Sequence, residues 1–457
     1  MAHVLLTHSN HLYSDRKQIE KMQPYPPLET LIVLAVLRQA GIDAALFDPT
    51  FDPPHEGFRE ALRRHRPRLV VVCEDDFNFL SKMCLTHNRE LAHWMAAEAR
   101  RRGIEAAAHG SDASDHVCQY LDAGFSSVIV GEAEATILEL AQERPRESIH
   151  GIAWHDARGI HGTSQRRLRG DLDALPWPAW DSVNMAQYRH HWRRRHGHFA
   201  LNLVSSRGCP YHCNWCSRPI WGKHYHAQTP SATARQMLYL KKTYAPDRIW
   251  FADDIFALSA RWTEEFAGTV AELGAQIPFK MQSRCDLMTR ATVSALRRAG
   301  CEEVWMGAES GSQRVLDAME KGIRVEHIYQ ARENLARHGI RACLFLQFGY
   351  PGEQWSDIEQ TIAMVRQAAP DDIGVSVSYP LPGTKLYRIV ESQLGPKQNW
   401  SDSADIAMMF RGAFTSEFYR ALAAALHAEV RGGAGVAEAW AQVRSLRELA
   451  DPKLAVA

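Results

Sequence analysis

The chain has 457 residues, of which 46% are hydrophobic, so it is long enough for two or three domains with packed cores. Its 53 basic and 53 acidic residues balance, which argues against nucleic acid or an anionic membrane as partner and favours a small molecule. The N-terminus carries no basic stretch followed by a long apolar one, and the apolar run at 31–37 is too short to span a bilayer. We therefore expect a cytoplasmic protein without a membrane span.

Residues 1–145 alternate short β-rich runs with helical patterns, several of which end at glycine. The predicted strands are residues 3–8, 43–48, 68–74, 104–110 and 126–132. Five strand–helix units predict an α/β domain with a Rossmann-like, doubly wound parallel sheet. Ligands of such sheets bind at the carboxyl ends of the strands, so the polar loops after these strands are candidate binding loops.

Residues 146–199 are predicted to connect two domains. A hairpin is expected within residues 148–168, and a linker rich in proline and tryptophan follows at 175–181. Residues 188–198 form the strongest basic and aromatic run of the chain. We interpret this run as a solvent-facing linker, and a clamp over an anionic ligand is the alternative.

A second series of strand–helix units occupies residues 200–390. Its predicted strands are residues 201–208, 247–254, 278–286, 302–310, 340–349 and 373–383. Six units predict an open (β/α)6 partial barrel of the TIM type, with catalytic groups at the carboxyl ends of the strands. Beside a cysteine-rich loop, these ends carry Asp253, Asp254, Ser283, Arg284, Glu309 and Ser310. Residues 391–457 are predicted to form a short helical C-terminal extension.

Three of the nine cysteines lie within eight positions, at Cys209, Cys213 and Cys216. An odd cysteine count in a reducing compartment favours metal binding or catalysis over a disulfide framework. Soft thiolate ligands select iron–sulfur clusters, zinc or copper. A structural zinc site would need a fourth ligand, for which His212 or His224 is available. Three ligands on a four-iron cube would instead leave one iron open for a reaction.

The sequence RGCPYHCNWC at 207–216, at the end of the first barrel strand, resembles the signature of the radical S-adenosylmethionine (SAM) superfamily. The similarity covers about residues 200–390. The resemblance implies a 4Fe–4S cluster on Cys209, Cys213 and Cys216, with SAM bound at the open iron and cleaved after an external reductant supplies one electron.

The same resemblance assigns candidate SAM-binding residues. Trp215 would lie beside the cluster, and Asp253 or Asp254 would occupy the place of the second-strand motif that holds the methionine amine. Arg284 and Glu309 match positions that contact the methionine carboxylate and the ribose hydroxyls, and Ser283 and Ser310 adjoin them.

Motifs beyond the cysteine loop resemble the radical SAM enzymes that carry an N-terminal cobalamin-binding domain. These motifs are WFADDIF, MGAESGS, FGYPGE and YPLPGTKLY. The resembling enzymes include class B methyltransferases and the anaerobic oxidative cyclase of bacteriochlorophyll synthesis. Cobalamin is therefore expected on the domain at 1–145, and an α/β module retained for packing or substrate binding is the alternative. The Asp-x-His-x-x-Gly motif that supplies a cobalt ligand in many cobalamin proteins is absent, since DPPHEG at 52–57 has the wrong spacing.

The resemblance predicts an enzyme that methylates an unactivated carbon of a small-molecule or natural-product intermediate. Oxidative cyclisation or rearrangement by the same cofactors is the alternative. A methylthiotransferase fits less well, because Cys73, Cys84 and Cys118 are scattered and the C-terminal region is helical. A non-enzymatic cluster or cobalamin carrier is a further alternative. The identity of the substrate is not predicted.

Overall fold

The computed structural model describes residues 3–217 and 219–450, so the last seven residues of the predicted C-terminal extension lie outside it. Two main sheets organise these residues, one in each half of the chain. The elements of the first half alternate as the sequence predicts. Its strands are β1 (Val4–Thr7), β2 (Ala44–Leu46), β3 (Leu69–Cys73), β4 (Glu105–His109), β5 (Ser127–Ile129), β6 (Ile152–Asp156) and β7 (Gly159–Gly162). Its helices are α1 (Arg16–Lys21), α2 (Leu28–Gln39), α3 (Pro54–His65), α4 (Phe79–Lys82), α5 (Thr86–Arg100), α6 (Ser111–Asp115), α7 (Val117–Asp122), α8 (Ala133–Ala141) and α9 (Met185–His196).

The first sheet has the order β2-β1-β3-β4-β5-β6-β7, and β1 to β5 are parallel. Helices α2 and α8 cover one face, and α3, α5 and α7 cover the other. Strand β3, of sequence LVVVC, is buried along its whole length, as expected for a central parallel strand with both faces covered. The predicted doubly wound α/β sheet is thus confirmed.

The predicted hairpin forms as β6 and β7, and it extends the first sheet because β6 pairs antiparallel with β5. The pairing satisfies backbone groups that would otherwise lie on an open sheet edge. The basic run at 188–198 falls largely in α9, which buries Tyr188 and Trp192 and exposes its three consecutive arginines, 193–195. Solvent exposure of these arginines agrees with the preferred interpretation of the run.

The second half of the chain builds the open barrel. Its strands are β8 (Ala200–Leu203), β9 (Ser206–Arg207), β10 (His226–Ala227), β11 (Arg248–Phe251), β12 (Phe279–Ser283), β13 (Cys301–Glu309), β14 (Arg341–Phe348) and β15 (Asp372–Val377). Its helices are α10 (Pro230–Thr243), α11 (Ala260–Glu272), α12 (Arg290–Ala299), α13 (Gln313–Ala318), α14 (Val325–Arg337), α15 (Trp355–Ala368), α16 (Lys385–Val390), α17 (Ser416–Arg431) and α18 (Val436–Ala450). Short 3-10 turns lie at Leu12–Ser14, Arg146–Ser148, Trp180–Ser182, Cys285–Leu287 and Glu391–Gln393.

Six parallel strands form the barrel sheet in the order β15-β14-β13-β12-β11-β8. The two outer strands, β8 and β15, do not pair within the described residues, so the barrel is open as predicted. The predicted strand at 201–208 divides into β8 and β9, and β9 pairs antiparallel with β10 instead of continuing in the barrel. This pairing closes the base of the cysteine loop.

Residues 394–412, which we call the strap, connect α16 to α17 and contact the first half of the chain. The backbone N–H of Thr86 donates to the Trp400 carbonyl at 2.9 Å. The Asn399 amide donates to the Cys84 carbonyl at 2.8 Å, and the Gln18 amide donates to the Ser403 hydroxyl at 2.7 Å. The strap therefore ties the barrel to α1 and to the loop before α5.

The C-terminal region consists of the helices α17 and α18, which pack on each other, so the predicted helical extension is present in the described part. None of the helices in the described ranges is both long enough and apolar enough to cross a bilayer.

Candidate functional site

Three cysteines lie on one loop between β9 and β10, beyond the carboxyl end of β8. Cys209, Cys213 and Cys216 are all partly exposed. The loop leaves β9 through Gly208, whose φ is +75°, and a Cβ atom there would lie 2.2 Å from the carbonyl oxygen of His224. Glycine is therefore required where the loop turns back. Three thiolates on one accessible loop fit the donor set of an iron–sulfur cluster.

Asp253, just beyond β11, anchors the chain ahead of the cysteine loop. Its fully buried carboxylate accepts hydrogen bonds from the Ser205 hydroxyl at 2.7 Å, from the Ser205 N–H at 3.1 Å and from the Ser206 hydroxyl. Burial raises the pKa of Asp253 to about 6, although the serine donors favour the charged form. The carboxylate thus holds the segment that leads to the cysteines. Its contact with the SAM amine stays a prediction.

Asp254 connects the barrel mouth to the first half of the chain. It forms an ion pair with Lys82, at the end of α4, and the ammonium of Lys82 lies 5.4 Å from the ring centroid of Trp221. Burial alone would lower the pKa of Lys82, but the carboxylates of Asp254 and Asp76 outweigh burial and raise it. Lys82 therefore stays charged at neutral pH. Asp254 is partly exposed beside the cysteine loop, where its predicted role in SAM binding remains a prediction.

Arg284 follows β12 and packs on the cysteine loop. Its guanidinium carbon lies 3.6 Å from the ring centroid of Tyr211, a residue of that loop. It donates to the two carboxylate oxygens of Asp286 at 3.0 and 3.2 Å, and to the Lys321 carbonyl at 2.9 Å. Burial alone would lower the pKa of Arg284, but Asp286 raises it. Arg284 is thus a support of the cysteine loop, and its predicted contact with the SAM carboxylate stays a prediction.

Glu309 ends β13 in a left-handed conformation, with a φ of +60°, which is uncommon for a residue other than glycine. Its buried carboxylate accepts a hydrogen bond from Lys321 Nζ at 2.7 Å. Burial alone would lower the pKa of Lys321, but Glu309 and then Cys213 raise it. Lys321 Nζ also lies 5.9 Å from the ring centroid of Trp215 in the cysteine loop. The structure therefore brings a buried ion pair and an indole together beside the loop.

The Trp215 indole has a polar group available for a ligand. Its Nε1 atom is buried and has no hydrogen-bond partner among the described residues. Unpartnered buried donors are rare in folded proteins, so this N–H fits a site that a bound molecule completes. Contact of Trp215 with SAM or the cluster remains a prediction.

The two predicted serines are buried and hold neighbouring segments. The Ser283 hydroxyl donates to the Phe256 carbonyl at 2.8 Å. The Ser310 hydroxyl lies 3.0 Å from that of Thr361 in α15 and accepts from the Ser312 N–H at 3.1 Å. These bonds support the ends of β12 and β13, and ligand contacts of both serines stay predictions.

Arg207 of β9 makes a charged contact between the two halves of the chain. Its buried guanidinium lies between Glu132 and Glu134, which follow β5, with an Nη1 to Glu132 Oε1 distance of 3.0 Å. Nearby, the Phe77 and Trp221 rings stack with centroids 5.1 Å apart. The partners come from loops after β3 and β5 on one side and after β8 on the other. The carboxyl ends of the two sheets therefore face each other.

The carboxyl end of the first sheet is acidic. Glu29, Asp75 and Asp76 are buried there, and Glu74 is half-buried. Burial raises the pKa of Glu74 to about 7 and that of Asp75 to about 6. Asp75 also accepts hydrogen bonds from the backbone N–H groups of Leu28 and Glu29, which begin α2. The loops predicted to bind a ligand thus include buried, hydrogen-bonded carboxyl groups as well as solvent-facing residues.

Sequence reasoning missed Lys82, Arg207, Tyr211 and Lys321 as site residues. Arg207 and Tyr211 lie within the quoted cysteine motif, so their position was a usable signal. Lys321 follows α13, and nothing in the sequence around it distinguishes it from other lysines. Lys82 meets its partner across the two halves of the chain, which local sequence does not indicate.

Comparison with protein families matches the Radical SAM superfamily over residues 203–365. This range begins at the end of β8 and contains the cysteine loop, Asp253, Arg284 and Glu309.

Curated relatives are similar over longer ranges. A protein named an uncharacterized methyltransferase, PH0819 of Pyrococcus horikoshii, is 26% identical over 307 residues, covering 66% of this chain and 65% of its own length. The anaerobic magnesium-protoporphyrin IX monomethyl ester cyclase of Synechocystis is 23% identical and covers 80% of this chain and 73% of its own length. The hopanoid C-3 methylase of Methylococcus capsulatus is 25% identical, covering 80% of this chain and 69% of its own length.

Solved structures share the fold. The radical SAM methyltransferase TsrM from Kitasatospora setae, solved with cobalamin and a 4Fe–4S cluster bound, has a TM-score of 0.71 at 18% identity. The match covers 87% of this chain and 80% of TsrM. The cobalamin-dependent SAM radical enzyme OxsB, solved in an apo form, has a TM-score of 0.64 at 17% identity and covers 79% of this chain and 51% of its own. The cysteine loop and most of the open barrel therefore belong to a radical SAM domain, which spans residues 203–365.

Proposed function

We propose that this protein is a cobalamin-dependent radical SAM enzyme that methylates an unactivated carbon of a small molecule. The observation that carries the proposal is the cysteine loop of the open barrel, which faces the carboxyl end of a doubly wound sheet. TsrM, which shares this fold, was solved with cobalamin and a cluster, and the relatives include methyltransferases. Both observations support the assignment.

Cys209, Cys213 and Cys216 are the ligands that would hold a 4Fe–4S cluster. When bound there and reduced by an external one-electron donor, the cluster supplies the reductive cleavage of SAM. Two cations and a carboxylate lie around it. Arg284 and Lys321 suit a ligand carboxylate, and Glu309, which is paired with Lys321, suits a ribose diol.

The loops after β3 and β4 carry acceptors that fit cobalamin. Among the buried oxygen atoms there without a partner in the described residues are Glu74 Oε2, Ser81 Oγ, Ser114 Oγ and Asp115 Oδ2. They lie in or beside α4 and α6, and α4 also contacts the barrel mouth through Lys82 and Asp254. The amide side chains of a corrin ring are donors of the kind that such acceptors need. Cobalamin would supply a methyl group for transfer.

The chain's own residues orient the reactants and exclude water. The stacked Phe77 and Trp221 rings close one side of the contact between the sheets, and Tyr211 under Arg284 closes the cysteine loop. A dry site protects reactive intermediates from side reactions. We propose a small substrate that enters between the two carboxyl ends.

The first test is anaerobic reconstitution followed by analysis of iron, sulfide and SAM cleavage. We expect about four irons and four sulfides per chain, and formation of 5′-deoxyadenosine after addition of a low-potential reductant. The variant with Cys209, Cys213 and Cys216 replaced by alanine should lose both. Cys118→Ala removes an exposed cysteine outside the loop and should keep both. Stoichiometric zinc without acid-labile sulfide would contradict the cluster.

The second test identifies the reaction. Reconstituted protein with hydroxocobalamin and SAM carrying a deuterated methyl group is incubated with a metabolite extract of the source organism. We expect a labelled product, with S-adenosylhomocysteine and 5′-deoxyadenosine in equal amounts. Turnover of the substrate by protein that binds no hydroxocobalamin would rule out the methyltransferase.

Oxidative cyclisation is the second candidate, because anaerobic cyclases are among the relatives that cover 80% of this chain. A cyclase would form 5′-deoxyadenosine without S-adenosylhomocysteine, and its product would carry no deuterium. The same incubation therefore separates the two candidates.

A further inference from the structure

Three potential metal ligands meet at the carboxyl end of the first sheet, apart from the cysteine loop. Glu29 lies in the first turn of α2, Asp76 follows β3, and His109 ends β4. Each side chain is at most 1% exposed. One ligand atom from each lies within 4.8 Å of the others. The three come from separate elements, so the fold itself assembles the cluster.

Two of these ligand groups have an oxygen atom without a partner among the described residues. Glu29 Oε2 accepts from the Asp76 N–H at 3.0 Å, and Asp76 Oδ1 accepts from the N–H and the hydroxyl of Ser111. The second oxygen of each carboxylate, Glu29 Oε1 and Asp76 Oδ2, is buried and makes no hydrogen bond. Glu29 Oε1 lies 3.8 Å from His109 Nε2. A buried acceptor without a donor is costly, which indicates that something else binds here.

The third ligand is held in place on both sides of its ring. His109 Nε2 lies 3.0 Å from the Gly131 carbonyl oxygen, and Nδ1 lies 3.7 Å from Cys73 Sγ. Burial lowers the pKa of His109, so the ring is favoured in the neutral form that binds metals. The Gly131 carbonyl accepts the Nε2 proton here, so a cation at Nε2 would replace that proton and have this carbonyl as a third oxygen beside the two carboxylates.

The charge around the cluster favours a cation. Three further buried carboxyl groups lie near it, from Asp75, Glu132 and Glu134, together with the half-buried Glu74. The nearby basic side chains are already paired, Arg207 with Glu132 and Glu134, and Lys82 with Asp254. Lys82 and Arg207 act on Asp76 and Glu29 only through their longer-range charge, and burial raises the pKa of both carboxyl groups, since no lysine or arginine of the described residues pairs with them directly. Buried charges need a compensating partner.

We propose that Glu29, Asp76 and His109 bind one divalent first-row metal ion, of the Zn²⁺ or Mn²⁺ type, separate from the cluster. Two carboxylates and an imidazole are a donor set that such ions accept. Metal–ligand bonds of about 2.0–2.2 Å would draw the three donors closer together than they are now. The ion would join α2, β3 and β4 at the face that contacts the barrel.

The proposal is tested by titrating Mn²⁺ into chelator-treated protein whose iron–sulfur cluster is intact, with the free ion measured by its EPR signal. We expect one Mn²⁺ per chain, displaced by Zn²⁺. Glu29→Gln and Asp76→Asn should weaken binding by at least about tenfold, because each removes a charged ligand at nearly constant shape. Glu353→Gln is the matched control, since Glu353 is a buried carboxyl with an unpartnered oxygen in the barrel, and it should bind Mn²⁺ like the parent.

The melting temperature of the parent protein provides a second test, which does not depend on variants that fold poorly. Saturating Zn²⁺ should raise the melting temperature of the parent, because an ion that binds only the folded chain stabilises it. Absence of saturable binding and of a thermal shift in the parent would overturn the proposal and leave a shared proton as the link between the two carboxyl groups. Unchanged Mn²⁺ binding by Glu29→Gln would overturn it as well. Iron content and SAM cleavage are measured separately. The Mn²⁺ and Zn²⁺ results can therefore be interpreted even if the proposed function is wrong.

Discussion

Replacing Asp253 by asparagine should stabilise the protein at neutral pH. Both serine hydroxyls donate to one oxygen, Oδ1, at 2.7 Å from Ser205 Oγ, and the Ser205 N–H is shared between Oδ1 at 3.1 Å and Oδ2 at 3.2 Å. An asparagine with its oxygen at the Oδ1 position keeps the three bonds to Oδ1, loses the N–H contact with Oδ2, and removes the buried negative charge. The charge is costly, since burial raises the pKa of Asp253 from 3.8 to about 6.

The magnitude follows from the pKa shift. Because the folded pKa lies above the unfolded one, the proton on Asp253 favours the folded state. Its contribution to the free energy of unfolding is fully present below the unfolded pKa and is lost as pH rises through the folded pKa of about 6. The free energy of unfolding of the parent, relative to Asp253→Asn, should therefore fall by about 3 kcal/mol as pH rises from below the unfolded pKa to above the folded pKa. Between about pH 5 and about pH 7.5 the fall should be about 1.4 kcal/mol.

The assay is urea unfolding of the parent and of Asp253→Asn at these two pH values, followed by far-UV circular dichroism. The iron content of both proteins is measured in parallel and should be equal, because the serines that lead to the cysteines stay anchored. Asp254→Asn is the control, since it breaks the partly exposed pair with Lys82 and should show no such gain at the higher pH. If Asp253→Asn were less stable than the parent by the same amount at both pH values, the reasoning from burial would be wrong.

Three further substitutions test the contacts around the loop. Lys321→Met should lower the free energy of unfolding by about 3–5 kcal/mol and reduce 5′-deoxyadenosine formation, because it leaves the buried Glu309 carboxyl without its partner; a loss below about 1 kcal/mol in urea unfolding would contradict this. Gly208→Ala should reduce iron retention, whereas Gly339→Ala, also at positive φ but with open space around it, should keep the iron. Arg207→Met should cost about 3–5 kcal/mol in urea, since two buried carboxylates lose their cation, and near-parental stability would show that they are neutral in the folded protein.

Local sequence patterns predict most of the fold. The run at 68–74 predicts a strand, which forms as β3, and the turn at 156–159 predicts the hairpin, because both signals depend on residues next to each other. The rule that ligands bind at the carboxyl ends of parallel strands then led to the cysteine loop, Asp253 and Glu309. The structure brings these strand ends to one mouth.

Contacts between distant segments could not be read from the sequence. The predicted strand at 201–208 divides because Ser205 directs its N–H to the Asp253 carboxylate and not to a neighbouring strand. The pairing of Lys321 with Glu309 requires the turn after α13 to return to the end of β13. Lys82 reaches Asp254 only because the two sheets meet face to face. Each of these contacts depends on tertiary packing that periodicity does not encode.

The strap has a consequence for how the chain folds during synthesis. Its bonds to the loop before α5 and to α1 join residues more than 300 positions apart, as in the Asn399 to Cys84 and Gln18 to Ser403 contacts. The first sheet is complete long before the ribosome has made the strap. Its barrel-facing loops therefore stay exposed to solvent until the last part of the chain has been synthesised. Late closure of such distant contacts is slow and exposes apolar surface to aggregation. Expression at low temperature or with added chaperones should therefore raise the yield of the full chain more than that of a fragment limited to the first sheet and its helices.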